Sequence, residues 1–298
     1  MALILANDGI DKQAEQQLAE LGHEIDTNKY EGEELLTRLA QVDCVIVRSA
    51  TKIRDPQVDA GAAGRLRLII RGGVGLDNIN VDYAESKGIK VRNTPAASSS
   101  AVAELVLGHM LTVARHIGEA NVTMRQGKWL KKQYSGTEIA GKKLGLIGFG
   151  RIANSLAVKC LALGMDVMFT DILDLHCEVC PQVELERVLA ESDYVSIHIP
   201  FEGGPPLIGK REIDMMKDGV FIINCARGGI VDEDALVDAI EAGKVKGAAL
   251  DVFREEPLTN QRLIQCDKIS LTPHIGAATV EAQARIGDVI VDLVKELL

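Results

Sequence analysis

Short aliphatic runs alternate with amphipathic stretches along the chain, and the alternation falls into two series. The first reads "LILAN", then "DKQAEQQLAELG", then "CVIVRS", "RLRLIIRGG" and "GIKVRNTP". Brief apolar runs separated by segments of helical period predict parallel strands covered by helices. "NTPAASSS" interrupts the pattern, and its serines are suited to cap a long helix predicted over "AVAELVLGHMLTVARHI". A domain boundary is expected near Pro95. The second series follows "TEIAGKK" and supplies "LGLIGFG", "MDVMFTD", "YVSIHIP", "GVFIINCARGG", "VKGAALDVF" and "ISLTPHIG", the strand count of a dinucleotide-binding sheet. The closing segment "AATVEAQARIGDVIVDLVKELL" predicts one amphipathic helix. The fold class that follows is α/β, with two doubly wound parallel sheets.

The second series opens on chemistry. The strand "KLGLIG" runs into Gly148-x-Gly150-x-x-Ala153 and then into a helix, the context in which such a motif binds a dinucleotide. Gly148 permits the tight turn, Gly150 lets the backbone approach a pyrophosphate, and a small residue at 153 allows close helix-strand contact. Alanine there costs one methyl of packing width and no phosphate contact. Asp171 ends the next strand, 18 residues after Ala153. That spacing suits an acid on the ribose hydroxyls, and no Lys or Arg follows in "ILDLH" to hold a 2′-phosphate. NAD is therefore expected over NADP.

Composition narrows the rest. With 298 residues, 47% of them hydrophobic, the chain can bury the cores of two domains. A formal charge of -10 argues against nucleic acid or an anionic membrane as partner. "MALILANDGIDKQ" has no basic n-region and meets acid early, so no signal peptide is expected, and a cytoplasmic protein is. The six cysteines suit buried thiols in a reducing compartment. "HCEVC" carries two readings: His176, Cys177 and Cys180 as the start of a metal or redox site, or a plain pair of loop thiols. No second CxxC or HxxxH completes a tetrahedral set, so no metal is expected.

Three stretches stand at strand ends, where open α/β sheets bind ligands: "NCARGGIVDE", "ALDVFREEP" and "LTPHIGAAT". Two glycines after Arg227 let a turn present its guanidinium, whose fork matches a carboxylate. His274 lies between Pro273 and Gly276 in a turn and can exchange a proton near neutral pH. Glu256 is a candidate partner for that imidazole.

Together these blocks resemble the D-isomer-specific 2-hydroxyacid dehydrogenases, and most closely their short-form D-3-phosphoglycerate branch. "VRSATKI", "RGGVGLDNINVDYAESKGIKVRNTP", "AVAELVLGHML", "GKWLKKQYSGTEIAGKKLGLIGFGRIA", "NCARGGIVDEDAL", "GAALDVFREEPL" and "LTPHIGAAT" carry the resemblance. It implies a Rossmann nucleotide domain (96–275) inserted into a split, flavodoxin-like substrate domain (1–95 plus 276–298). It implies catalytic roles for Arg227 as carboxylate and carbonyl ligand, for His274 as acid/base, and for Glu256 as its partner. NAD contacts are implied at Gly148, Gly150, Arg151, Ile152, Asp171, His198, Pro200, Cys225, Ala226, Asp251 and Gly276. Substrate contacts are implied at Arg48, Ser49, Gly73, Val74 and Gly75, with Lys131 and Lys132 forming a basic loop presented across a homodimer.

The activity so implied is oxidation or reduction at C2 of a D-2-hydroxy acid, 3-phosphoglycerate first, as in serine biosynthesis. Hydroxypyruvate, glyoxylate or D-lactate chemistry is the alternative within the class. An NAD(H)-sensing corepressor-like scaffold is the alternative outside it. Val74 departs from a common threonine, Ala96 and Ser98 from frequent asparagines, and "HIPFEGGPPLIG" from a longer stretch. These departures touch the pocket and ribose contacts and leave the three chemical residues intact. With the chain ending at Leu298, feedback through a regulatory extension is not expected.

Overall fold

The structure is a computed structural model that describes residues 1–201 and 203–298. The chain divides into two compact units, Met1–Ser99 with Ala277–Leu298, and Ser100–Gly276.

Unit 1 contains β1 (Leu3–Ala6), α1 (Lys12–Glu20), β2 (Glu24–Asp26), α2 (Gly32–Leu39), β3 (Cys44–Val47), α3 (Asp55–Ala62), β4 (Leu68–Arg71), α4 (Val81–Ser86) and β5 (Lys90–Asn93). Its five strands are all parallel, in the flavodoxin-like order β2-β1-β3-β4-β5. The strands read as continuous apolar runs because both faces are covered. Leu5, Val45, Val47 and Ile69 face one core, and Ile4, Cys44, Ile46, Leu68 and Ile70 the other. The periodicity missed β2, a short edge strand whose one apolar residue, Ile25, carries too little signal. The C-terminal helix, numbered α12 below, belongs to this unit. Ile286, Ile290, Val291 and Val294 bury its apolar stripe in the second core. Thr279 caps it by accepting from the Ala282 amide at 3.1 Å.

Unit 2 begins with the long helix α5 (Ser99–Arg115) and α6 (Ile117–Arg125). It continues with β6 (Lys143–Ile147), α7 (Arg151–Ala162), β7 (Asp166–Thr170), α8 (Leu185–Glu191), β8 (Tyr194–Ile197) and α9 (Lys210–Met215). It ends with β9 (Val220–Asn224), α10 (Glu233–Glu241), β10 (Val245–Leu250), α11 (Gln261–Gln265) and β11 (Ile269–Leu271), and α12 (Val280–Leu297) then completes unit 1.

The division falls a few residues past Pro95 because α5 packs its Val102, Ala103, Val106, Met110 and Ala114 into the core of unit 2. Ser99 and Ser100 are the first residues of α5 itself. The Ser99 hydroxyl is buried without a hydrogen-bond partner among the described residues, and the Ser100 hydroxyl donates to Glu104 Oε1 at 3.0 Å. The predicted helix also breaks at His116, which adopts φ 52°.

The six-stranded sheet of unit 2 runs β11-β10-β9-β8-β6-β7, all parallel. Beyond β7, Gln182 forms one parallel bridge with Phe169, and Pro181 and Val183 exchange backbone hydrogen bonds with it at 3.1 and 2.8 Å. Counting that bridge as a vestigial strand gives the Rossmann order 3-2-1-4-5-6 with one further strand. The crossover that normally carries a helix is here the loop 171–180. The strand order reverses between β6 and β8, and ligands of doubly wound sheets bind outside such a switch point.

Candidate active site

The glycine turn stands at that switch point. Gly148 adopts φ 84°, and a Cβ on it would lie 2.6 Å from Ile199 Cγ2 and 2.8 Å from the His198 carbonyl. Only glycine fits. Phe149 then stacks on Phe169 of β7, with ring centroids 3.8 Å apart. Gly150 is the N-cap of α7, and the space where its Cβ would be is open. Arg151, Ile152 and Ala153 begin the helix, so their amides have no intrahelical acceptor and point along the positive end of its dipole. Ala153 is fully buried and packs with Leu144, Leu146 and Leu156.

Asp171 closes β7 and is partly exposed. Its Oδ2 accepts from the Phe149 amide at 2.7 Å and its Oδ1 from the Leu173 amide at 3.0 Å. The carboxylate thus holds the glycine turn to the loop 171–180 and keeps further lone pairs for a ligand hydroxyl. The open cradle at Gly150, the free helix amides and this carboxylate fit a dinucleotide. At the end of β8, burial pushes His198 toward its neutral form, and its Nε2 meets the Ser196 hydroxyl at 2.9 Å. Pro200 follows at the surface, and residue 202 of the same stretch lies outside the described residues.

The three chemical residues are gathered at the ends of β9, β10 and β11. Asn224 ends β9, donates to the Arg227 carbonyl at 2.8 Å and accepts from the Ala226 amide at 3.0 Å, so its side chain shapes the turn through Cys225, Ala226 and Arg227. A Cβ on Gly228 would overlap the Phe253 carbonyl, so glycine is required where this turn crosses the segment after β10. The Arg227 Nη1 donates to the Ala226 carbonyl at 2.6 Å.

His274 Nδ1 and Glu256 Oε2 are 2.8 Å apart, and the other carboxylate oxygen of Glu256 accepts from the Phe253 amide at 3.2 Å. Burial raises the Glu256 carboxyl, but the His274 imidazole, that amide and the Arg227 charge outweigh it and hold the group below its ordinary range. His274 itself adopts φ 53°, a left-handed backbone that costs a non-glycine residue on the order of 1–3 kcal/mol.

Asp251 holds that turn in place. It is fully buried one residue past β10, and its carboxylate accepts from the Ile275 and Gly276 amides, each at 2.9 Å, and from the Thr272 hydroxyl at 2.5 Å. Thr272 in turn meets His109 Nε2 at 2.9 Å, and His109 Nδ1 meets the Ser270 hydroxyl at 3.0 Å. Burial keeps His109 below the ordinary histidine range, against the pull of Asp251. Sequence reasoning missed His109. Its signal was a lone polar residue on the apolar face of "AELVLGHML", which alone marks a buried hydrogen bond rather than a role.

The other expected contacts are on unit 1 and on the turn after α6. In unit 1, Asp8 accepts from the Arg48 amide at 2.7 Å and the Thr51 amide at 3.1 Å, while Asn78 donates to the Arg48 carbonyl at 2.7 Å. The backbone of Arg48 and Ser49 is therefore fixed while Ser49 is exposed. Gly73, Val74 and Gly75 follow β4, and Asn93 donates to the Val74 carbonyl. Lys131 and Lys132 are exposed on a turn after α6, beside a Trp129 that is 78% exposed. The structure thus groups Arg227, Glu256, His274 and Asp251, and sets the glycine turn with Asp171. It leaves the lysines away from any described hydrogen bond. Cys177 Sγ and Cys180 Sγ are 3.5 Å apart, and no metal-binding group of His, Cys, Asp and Glu occurs among the described residues.

Residues 107–276 match the family model described as D-isomer specific 2-hydroxyacid dehydrogenase, NAD binding domain. A hydroxypyruvate reductase of Thermotoga maritima is 45% identical over 98% of this chain and 97% of its own. A D-3-phosphoglycerate dehydrogenase of Methanocaldococcus jannaschii is 38% identical over 100% of this chain but 58% of its own, so the chain spans little more than half of that relative. The crystal structure of a D-lactate dehydrogenase from Aquifex aeolicus, complexed with NAD and lactic acid, superposes with a TM-score of 0.84 at 29% identity, covering 98% of this chain and 94% of that one.

Proposed function

The chain belongs to the D-isomer specific 2-hydroxyacid dehydrogenase family and carries its NAD-binding domain, and from that premise we propose that it interconverts hydroxypyruvate and D-glycerate. The observation that carries the reaction is the His274–Glu256 pair at 2.8 Å, on a turn clamped by Asp251. When bound, NAD would supply the hydride acceptor for C2, and NADH the donor. With Nδ1 committed to Glu256, His274 offers Nε2 to the substrate, taking the hydroxyl proton in oxidation and giving it to the carbonyl oxygen in reduction. Glu256, held anionic, favours the imidazolium that results. Arg227 orients the carboxylate and stabilises charge growing on the carbonyl oxygen. Helix α7 and the Gly148–Gly150 turn take the pyrophosphate, and Asp171 takes the ribose hydroxyls.

The unphosphorylated three-carbon acid is favoured by a hydroxypyruvate reductase that aligns along nearly its whole length. Val74, which departs from the threonine that the resemblance to the phosphoglycerate branch implies, points the same way. A phosphorylated substrate is the second reading, and Arg48 on its pinned loop supports it. Lys131 and Lys132 would then serve from the partner in a homodimer. A dimer is supported by α6, which buries no residue and exposes Ile117, Val122 and Met124. NADH absorbance against a panel of 2-keto acids, each with and without phosphate, decides the substrate. Turnover of hydroxypyruvate above its phosphorylated form is expected. Preference for the phosphorylated form, lost by about 1.5–3 kcal/mol in Arg48→Ala, would establish the second reading instead. Absence of turnover with every acid would leave only nucleotide sensing.

A further inference from the structure

The Rossmann crossover after β7 has lost its helix, and the loop that replaces it carries "DILDLHCEVCPQ". Both ends of this loop are tied to one strand. Asp171 leaves β7 directly, and Pro181 to Val183 return along Phe169. Inside the loop, Gln182 donates to the Asp171 and Leu173 carbonyls at 3.2 and 2.8 Å and accepts from the Leu175 amide at 2.8 Å. Asp171 Oδ2 binds the Phe149 amide of the glycine turn. The loop is therefore mechanically continuous with the dinucleotide site.

Cys177 and Cys180 face each other within it. Cys180 is buried in the core with Phe169 and Val167, while Cys177 is partly exposed. We infer that Cys177 and Cys180 form a reversible dithiol–disulfide pair whose oxidation reshapes the 171–182 loop and weakens dinucleotide binding. The gating half of this inference rests on the reading of Asp171 as the ribose acid. The pairing half rests on the cysteines alone.

The chemistry requires an oxidant, and a low-molecular-weight disulfide supplies it. The Cys177 thiolate attacks one sulfur of that disulfide, forming a mixed disulfide and expelling one thiolate. The Cys180 thiol then gives up its proton and attacks Cys177 Sγ, forming the internal bond and expelling the second thiolate. Two protein thiols are oxidised, one external disulfide is reduced, and the two protons end on the two departing thiols.

The geometry assigns these roles. Burial raises the Cys177 thiol, yet hydrogen bonds from the Val179 and Cys180 amides and from the Cys180 thiol outweigh it, so Cys177 alone of the six cysteines is shifted down. Burial pushes Cys180 up to about 12, which suits the resolving partner. A disulfide needs its sulfurs at about 2.05 Å, so the pair must close from 3.5 Å. Cys180 is anchored in the core, so Cys177 and the exposed segment back to Asp171 must move. That segment has no helix to absorb the change.

The test equilibrates the full chain with mixtures of glutathione and glutathione disulfide, blocks free thiols, and maps the cysteines by peptide mass spectrometry. NADH affinity is measured by fluorescence on the same samples. A Cys177–Cys180 crosslink is expected before Cys44, Cys160, Cys225 or Cys266 react. NADH Kd is expected to rise about tenfold, the scale of losing one hydrogen bond to a charged group, and to recover with dithiothreitol. Cys180→Ser should trap glutathione on Cys177, and Cys177→Ser should remove both the crosslink and the redox dependence. Failure of the crosslink to form while Cys266 becomes modified overturns the pair. A crosslink that leaves NADH affinity unchanged overturns the gating. Asp171→Ala separates the causes: if it weakens NADH and oxidation does not, the switch fails while the ribose reading stands, and if neither weakens NADH, the ribose reading has failed with it.

Discussion

Asp251 and Asp171 each stand one residue past the end of a parallel strand in unit 2, β10 for the first and β7 for the second. Asp251 is buried and fully engaged by two amides and a hydroxyl, with His109 behind that hydroxyl. Asp171 is partly exposed, receives two amides and lies on a loop held by one glutamine. The difference fits the roles proposed for the two sites. A proton-transfer group gains from a rigid seat, because small displacements are costly to catalysis. A nucleotide-binding carboxylate must keep lone pairs open and is held by a segment that can yield.

The contrast can be broken at four points. The largest effect is expected for His274→Ala, which should lower kcat by about 10²–10⁴ while NADH Kd stays nearly constant, since only proton transfer is removed. Near-normal turnover in that variant would refute the mechanism. Next comes Asp251→Ala, which leaves the Ile275 and Gly276 amides unclaimed and frees the strained turn at His274. A loss of about 10² in kcat is expected, the scale of misplacing a catalytic group by an ångström, together with a lower melting temperature. If stability falls but kcat does not, Asp251 is structural only.

Glu256→Gln should cost less, about tenfold in kcat, as loss of one partner charge implies. Its effect on stability should depend on pH. The Glu256 carboxyl is lowered in the folded protein, so its contribution is present above the ordinary carboxylate range and is lost as pH falls through the lowered value. The melting-temperature gap between wild type and Glu256→Gln should therefore close in acid and persist at neutral pH; a gap that widens in acid would reverse the assignment. The smallest effect belongs to the looser site. Asp171→Ala should shift the NAD to NADP ratio of kcat/KM by about tenfold, one hydrogen bond's worth. Equal use of both cofactors by the wild type would remove Asp171 from the ribose.

What could be read from residues alone is what short-range physics enforces. The six strands of unit 2 were legible because a parallel sheet covered on both faces demands apolar runs. Gly148 was legible because its φ of 84° and the closeness of His198 admit no side chain. Arg227, Glu256 and His274 were recognisable as blocks of a family, although no spacing in the sequence dictates that Glu256 meets His274 Nδ1.

Tertiary structure decided the rest, since hydrogen bonds between distant elements leave no periodic trace. His109 on α5 meets Thr272, 163 positions away. Nothing in the pattern around Asp251 told that its carboxylate binds the turn that carries His274. The third Rossmann strand is a single bridge at Gln182, reached through the loop 171–180 and not through a helix. The sequence by itself determined the sheets and the glycine turn, through propensity, pattern and backbone sterics, and it marked the side chains proposed to react. Which carboxylate became rigid and which stayed adaptable was settled only by burial, since a buried acid must satisfy its lone pairs from within the protein and a half-exposed one need not.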